Sequence, residues 1–274
     1  KTNQEIYNLI FGRDTRTITL TKLDGKKDEL VSYKVVDTDY KTDCRNNEIT
    51  IIKEKVVRVT PYSDDTQRPD FAVYLNGLPF IAIEVKNPLA NIGLYEAFRD
   101  YKVKTTYHKF ISCLCTDGLN AALTANPLGL TIDDWKAYGK HKTTRYQEEN
   151  SGFFDFAEEL LFQVKNFVFY FQYGVFPFEK HLGNLRVQQY YVMKESFNLI
   201  ERTPIHTSFR EVVKQPPRSG KTIAIRSIIN MITLAYPNHY KKIFIQVPDL
   251  TIMGQYHKDF INFTFNHGFK VKLI

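Results

Sequence analysis

The chain has 274 residues, of which 37 are Lys or Arg and 30 are Asp or Glu, for a net charge of +7, and 43% are hydrophobic. This allows one large domain or two smaller ones with ordinary cores, and the basic balance suits a polyanionic partner such as nucleic acid. Three cysteines exclude a disulfide framework and point to a reducing compartment, and the histidines lack the His-Glu-x-x-His spacing of a zinc site.

The polar opening Lys1-Thr2-Asn3-Gln4-Glu5 carries no signal peptide, and because it does not start at Met, further chain is expected upstream. Residues 1–12 read as the end of a helix with Ile6, Leu9 and Ile10 on one face and Gly12 as its stop. Arg16 to Leu20 and Leu30 to Val36 read as strands around Asp24-Gly25. Asp37 to Asn47 is a polar loop, and Glu48 to Val59 alternates as a strand leading to Pro61. Ser63 to Gln67 is a loop that delivers Pro69-Asp70.

Two apolar runs then flank Asn76-Gly77, a strong short-range hairpin signal. Asp70 opens the first run, and Glu84 and Lys86 close the second. Positions i and i+2 leave the same face of a strand, so Glu84 and Lys86 point together. Two carboxylates can hold a hard divalent cation, and a neighbouring ammonium can position the water that attacks a phosphodiester. Register tests this reading. A plain two-residue turn pairs Asp70 with Ile83, so Asp70 meets Glu84 only through an odd loop or a bulge, and one of these is expected. The competing reading is an ordinary amphipathic hairpin with solvated polar ends.

Further on, Leu94 to Val103 carries a helical pattern (Leu94, Ala97, Phe98, Tyr101), and Phe110 to Cys115 is a buried strand. Cys113 and Cys115 read as packing residues. Residues 119–150 are polar and mixed, with Trp135 and a basic run from Lys136 to Arg145 that could contact phosphates or simply face solvent. Phe153 to Phe169 follows helical spacing. The most apolar stretch, Phe167 to Phe178, is interrupted by Gln172 and Gly174 and is too short to cross a bilayer. A soluble, cytoplasmic protein is expected.

In the last third, Val212 to Lys214 reads as a short strand and Thr222 to Tyr236 as a helix, with Gln215-Pro216-Pro217-Arg218-Ser219-Gly220-Lys221-Thr222 between them. Gly220-Lys221-Thr222 matches the end of a phosphate-binding loop: helix-start N–H groups hold phosphate, Lys221 neutralises it and Thr222 can ligate Mg²⁺. Lys242 to Val247 reads as a strand, and a helix starts after Pro248.

Arg68-Pro69-Asp70, Leu75 to Pro79 and Ile83-Glu84-Val85-Lys86 resemble the nuclease motif of the PD-(D/E)xK superfamily, in the version found in the restriction (motor) subunit of type I restriction enzymes. The resemblance implies Asp70 and Glu84 as Mg²⁺ ligands and Lys86 as the catalytic lysine. Tyr101 fits the tyrosine of the family's Gln-x-x-x-Tyr helix, where Ala97 replaces the glutamine. Gln189, or less favourably Gln188, resembles the adenine-reading glutamine of superfamily-two motors, an exposed helix face being the competing reading. The phosphate loop departs from the family pattern at Gln215 and Arg218. The segment Pro248-Asp249-Leu250 with Gln255 resembles a DNA-contacting stretch of such motors.

The fold class expected from this resemblance is α/β: an endonuclease-like mixed sheet with flanking helices over 1–150, a helical connection over 151–180, and the start of an incomplete RecA-like lobe over 181–274. The implied function is Mg²⁺-dependent cleavage of double-stranded DNA, with part of an ATP-dependent translocase that works with methylation and specificity subunits and no membrane. With neither an acidic Walker B motif nor a second lobe assignable before Ile274, no ATP turnover is expected of this chain alone. The alternatives are another helicase–nuclease of DNA repair or phage defence, and a non-catalytic DNA- or nucleotide-binding module.

Overall fold

The computed structural model describes residues 7, 10, 11, 17–20, 29–32, 35–58, 65–87, 89, 93–116, 121–125, 159–178, 181–204, 207, 211–214, 219–236, 243–247 and 250–261. The chain divides into two compact units, Lys1–Gln172 and Tyr173–Ile274.

In the first unit, β1 (Thr17–Leu20) and β2 (Glu29–Ser32) form an antiparallel ribbon. The expected turn at Asp24-Gly25, and Ile6, Leu9 and Gly12 of the opening helix, lie outside the described residues. Tyr7 and Ile10 are helical and buried. The strand expected over Glu48 to Val59 is instead two, β3 (Ile49–Lys53) and β4 (Val57–Arg58). Glu54 breaks it with a left-handed φ of 51°, a conformation no strand interior accommodates. The second piece pairs with β5 (Thr66–Gln67).

The central sheet has five strands in the order β3, β6 (Phe71–Leu75), β7 (Leu78–Val85), β8 (Ser112–Thr116) and β9 (Ala121–Thr124). Only β7 and β8 run parallel, and between them in sequence lies helix α1 (Gly93–Val103), followed by a 3₁₀ turn over Thr105–Lys109. Strand β9 was not foreseen within the polar stretch after residue 118. Trp135 and the basic run to Arg145 lie outside the described residues.

Small side chains on one sheet face explain how the helix docks. Ala72, Ala82, Cys113 and Cys115 leave space that Ala97, Tyr101, Tyr107 and Phe110 fill as one buried cluster. Burial pushes the Cys113 thiol up, in keeping with a packing role. The helix expected over Phe153 to Phe169 is described from residue 159 and is interrupted at Gln163, where α2 (Val164–Phe169) begins and passes into a π turn over Tyr170–Gly174.

The second unit contains the hairpin of β10 (Val175–Phe178) and β11 (His181–Asn184), then α3 (Val187–Arg202), α4 (Lys221–Ala235) and α5 (Leu250–Ile261). The strands expected at Val212 to Lys214 and Lys242 to Val247 are not formed over the described residues 211–214 and 243–247. Val212 is 92% exposed and Phe244 80% exposed. Parallel strands depend on partners at both edges and cover on both faces, and neither segment pairs with a described strand. Among the described residues, no helix is long and apolar enough to cross a membrane.

Candidate active site

Asn76 and Gly77 both take positive φ, 50° and 78°, as the mirror-image turn joining β6 to β7 requires. The Asn76 side chain anchors this turn by accepting from the Glu48 N–H and donating to Val35 O and Asn47 Oδ1, each at 2.8 Å. From the turn the ladder runs Leu75 with Leu78, then Tyr74 with Pro79, and shifts so that Val73 meets Ile81. Phe80 is the extra residue. Of the odd loop or bulge expected from the sequence, it is the bulge that occurs, and it lies next to Pro79, which has no N–H to give a ladder. Phe80 is fully buried, with its ring 4.9 Å from Phe171, 5.3 Å from Phe167 and 6.2 Å from Phe11.

Beyond the bulge Phe71 pairs with Ile83 at the end of the ladder, and the alternation continued by one residue puts Asp70 on the sheet face that carries Glu84. The Asp70 carboxylate is tied to β7 by the Val85 N–H, 2.7 Å from Oδ2. Glu84 is only 3% exposed. A carboxylate so deeply buried is tolerated when paired and hydrogen-bonded. Lys86 Nζ lies 3.1 Å from Oε2, Lys104 Nζ 3.7 Å from Oε1, and the Tyr107 hydroxyl donates to Oε1. The Glu84 N–H donates to Tyr101 Oη at 3.1 Å, and that hydroxyl donates to the Leu114 carbonyl. Tyr101 thus fastens helix α1 to β7 and β8 directly behind Glu84.

Sequence reasoning paired Lys86 with Glu84 but missed three residues: Asp100, Lys104 and Tyr107. Asp100 Oδ2 accepts from Lys86 Nζ at 3.0 Å and from Lys104 Nζ at 3.3 Å. The signal present was the helical i,i+4 pair Asp100–Lys104. Burial disfavours the Lys86 ammonium, but its bonds to Asp100 and Glu84 outweigh that and raise its pKa above the ordinary lysine value. Burial likewise pushes the Asp100 carboxyl up, and the Lys86 bond with the Lys104 charge brings it below its ordinary value. These bonds place the Lys86 ammonium to donate hydrogen bonds and to offset negative charge at the end of β7.

Residues 1–127 match the family model for the type I restriction enzyme R protein N terminus (HSDR_N). The match takes in the five-stranded sheet, the hairpin and α1, and ends ahead of the second unit. No curated protein is significantly similar to the chain. Within this segment, similar to the N-terminal region of a type I restriction R subunit, lie Asp70, Glu84 and Lys86. No group of three or more His, Cys, Asp and Glu side chains is placed to hold a metal among the described residues. Asp70 and Glu84 are the two carboxylates that could serve a Mg²⁺ ion here, since Mg²⁺ binds through one or two carboxylates and fills its shell with water and substrate phosphate.

In the second unit, Gly220 caps α4 with φ 77°, and Lys221 and Thr222 occupy the first turn of that helix. Gln189 is buried, contrary to an exposed helix face, and its Nε2 donates to the carbonyls of Ser219 and Gly220 at 3.0 Å each. Its Oε1 accepts from the Arg186 N–H at 2.9 Å. A Cβ on Gly220 would lie 2.3 Å from that amide nitrogen. Gln188 is only partly buried. The loop residues Gln215 to Arg218, and Pro248 and Asp249, lie outside the described residues.

Proposed function

We propose that the first unit is the Mg²⁺-dependent DNA endonuclease of a type I restriction R subunit. The observation that carries this reading is the bulge at Phe80, which shifts the ladder by one residue so that Asp70, next after the Phe71–Ile83 pair, falls on the face of Glu84, while Lys86 Nζ lies 3.1 Å from Glu84. Asp70 and Glu84 would hold the metal. Bound Mg²⁺ would supply Lewis-acid polarisation of a phosphate and a water of lowered pKa. Lys86 would orient the attacking water and offset charge that builds on the phosphate, while Tyr101 and Tyr107 keep the Glu84 backbone and carboxylate in place.

The second unit is read as the start of an ATP-dependent DNA translocase. Support comes from the left-handed Gly220 at the start of α4 and from Lys221 and Thr222 in its first turn. Double-stranded DNA and the methylation and specificity subunits would be the partners of the whole subunit, which would work in the cytoplasm. The RecA-like sheet of that lobe is part of the proposal.

The test is Mn²⁺ binding to the chain in the presence of a short DNA duplex, followed by paramagnetic relaxation, for the parent and Asp70→Ala. Binding by the parent that disappears in Asp70→Ala is the expected result. Equal binding by both proteins would overturn the assignment of Asp70 and Glu84 as the metal pair.

A further inference from the structure

We infer that Asp100 is a positioning residue of this site, the anchor that holds Lys86 in place once Glu84 is shared with a metal ion. The inference rests on the nuclease reading above and adds to it a residue outside the sequence motif.

The geometry is specific. Lys86 Nζ lies between two carboxylates, 3.1 Å from Glu84 Oε2 and 3.0 Å from Asp100 Oδ2. An ammonium has three donors, so these bonds use two and leave one for a water or a phosphate. The anchors are not equivalent in use. A divalent cation bound by Glu84 would draw off the negative charge that attracts Lys86, whereas Asp100 sits on helix α1 and is joined to the site through Lys86 and Lys104. Lys104, 3.3 Å from the same Asp100 oxygen and 3.7 Å from Glu84 Oε1, ties Asp100 to Glu84 from the other side. Two lysines and two carboxylates thus form a closed ring of alternating charge around the end of β7.

Beyond its i,i+4 pair with Lys104, nothing in the helix itself asks for an acid at this place. Asp100 lies in the last turn of α1, where the helix dipole disfavours negative charge, and aspartate is a weak helix former. The inward side of α1 is already filled by Ala97 and Tyr101. A residue that works against its local preference and is compensated by the candidate catalytic lysine belongs to the site more than to the helix.

The experiment uses the full subunit in its assembled enzyme and single-turnover cleavage of plasmid DNA with Mg²⁺ and ATP. Asp100→Asn, which keeps the shape and one acceptor, is compared with Asp100→Glu, Lys86→Ala and Asp70→Ala. A second-layer partner of this kind is expected to slow cleavage by about 10–100-fold when lost, with DNA affinity within about twofold of the parent. Asp100→Glu should regain much of the rate. If Asp100→Asn cleaves like the parent while Lys86→Ala and Asp70→Ala are inactive, the Asp100 role is overturned and the nuclease reading stands. If Asp100→Glu is as slow as Asp100→Asn, a positioning role through the carboxylate is also overturned. Parent-like cleavage by all four variants overturns the nuclease reading itself.

Discussion

Phe71 pairs with Ile83, and Asp70 follows on the face of Glu84, because Phe80 is spent on a bulge in the ladder. Without that extra residue the plain Asn76-Gly77 turn would set Asp70 against Ile83 and send the two carboxylates to opposite faces of the sheet. The bulge is held by burial of Phe80 among Phe11, Phe167 and Phe171. Phe80→Ala should therefore destabilise the first unit by about 3–5 kcal/mol through transfer and cavity terms. Urea unfolding of the parent and variant measures this. A change within error would show that the aromatic cluster does not hold the bulge.

Tyr101 makes its contribution through one atom. Its hydroxyl accepts from the Glu84 N–H and donates to the Leu114 carbonyl inside the sheet–helix layer. Tyr101→Phe keeps the ring and removes the hydroxyl's bonds to two groups that the β7–β8 ladder also holds, so a loss of about 0.5–1.5 kcal/mol is expected. Denaturant midpoints at constant slope would report it. An unchanged midpoint would mean that water or a shifted backbone takes over both bonds.

The Asp100 carboxyl predicts a pH dependence. Its folded value lies below the ordinary 3.8, with burial outweighed by Lys86 and Lys104. As pH falls, the unfolded chain takes up this proton first, so the contribution to stability is complete above the unfolded value and is lost as pH drops through the folded one. The stability gap between the parent and Asp100→Asn should be flat from about pH 7 to about pH 5 and close below about pH 4. Unfolding curves across that range would measure the gap, and one that persisted into strong acid would contradict the ion-pair geometry.

Gly220 and Gln189 should behave as a coupled pair. Gly220→Ala forces a Cβ into a left-handed residue, a strain of about 1–2 kcal/mol, and into contact with Gln189 Nε2. In a Gln189→Ala background the contact disappears and the backbone strain remains. The cost of Gly220→Ala should thus be smaller there but not zero, as a four-protein thermal cycle would show. Strict additivity would mean that the amide swings away freely.

Much of the candidate site was legible locally. The Asn76-Gly77 turn, the shared face of Glu84 and Lys86, the helix after the hairpin and the helix start at Gly220 are properties of spacings of a few residues. The register conflict even required a bulge or an odd loop. Which of the two occurs was not legible, because it turns on where Phe80 finds aromatic partners from far along the chain. Asp100 and Lys104 were missed for the same reason, since a charged position at a helix end looks solvated until the strand beside it is known, and Tyr107 because its 3₁₀ turn meets Glu84 only in the folded chain. Gln189 illustrates it from the other side, since its burial depends on a loop distant in sequence.

The sequence by itself determined the Asn76-Gly77 turn, the alternation of β6 and β7, the helical period of α1 and the carboxylates and lysine carried by the hairpin. These follow from backbone sterics and side-chain direction within a few residues. Tertiary structure decided the placing of Asp70 on the face of Glu84, the ring of Lys86, Asp100, Lys104 and Glu84, and the failure of 211–214 and 243–247 to form strands. Each depends on which groups far apart in the chain meet in a buried place, where an unpaired charge or an unbonded backbone group is too costly to remain.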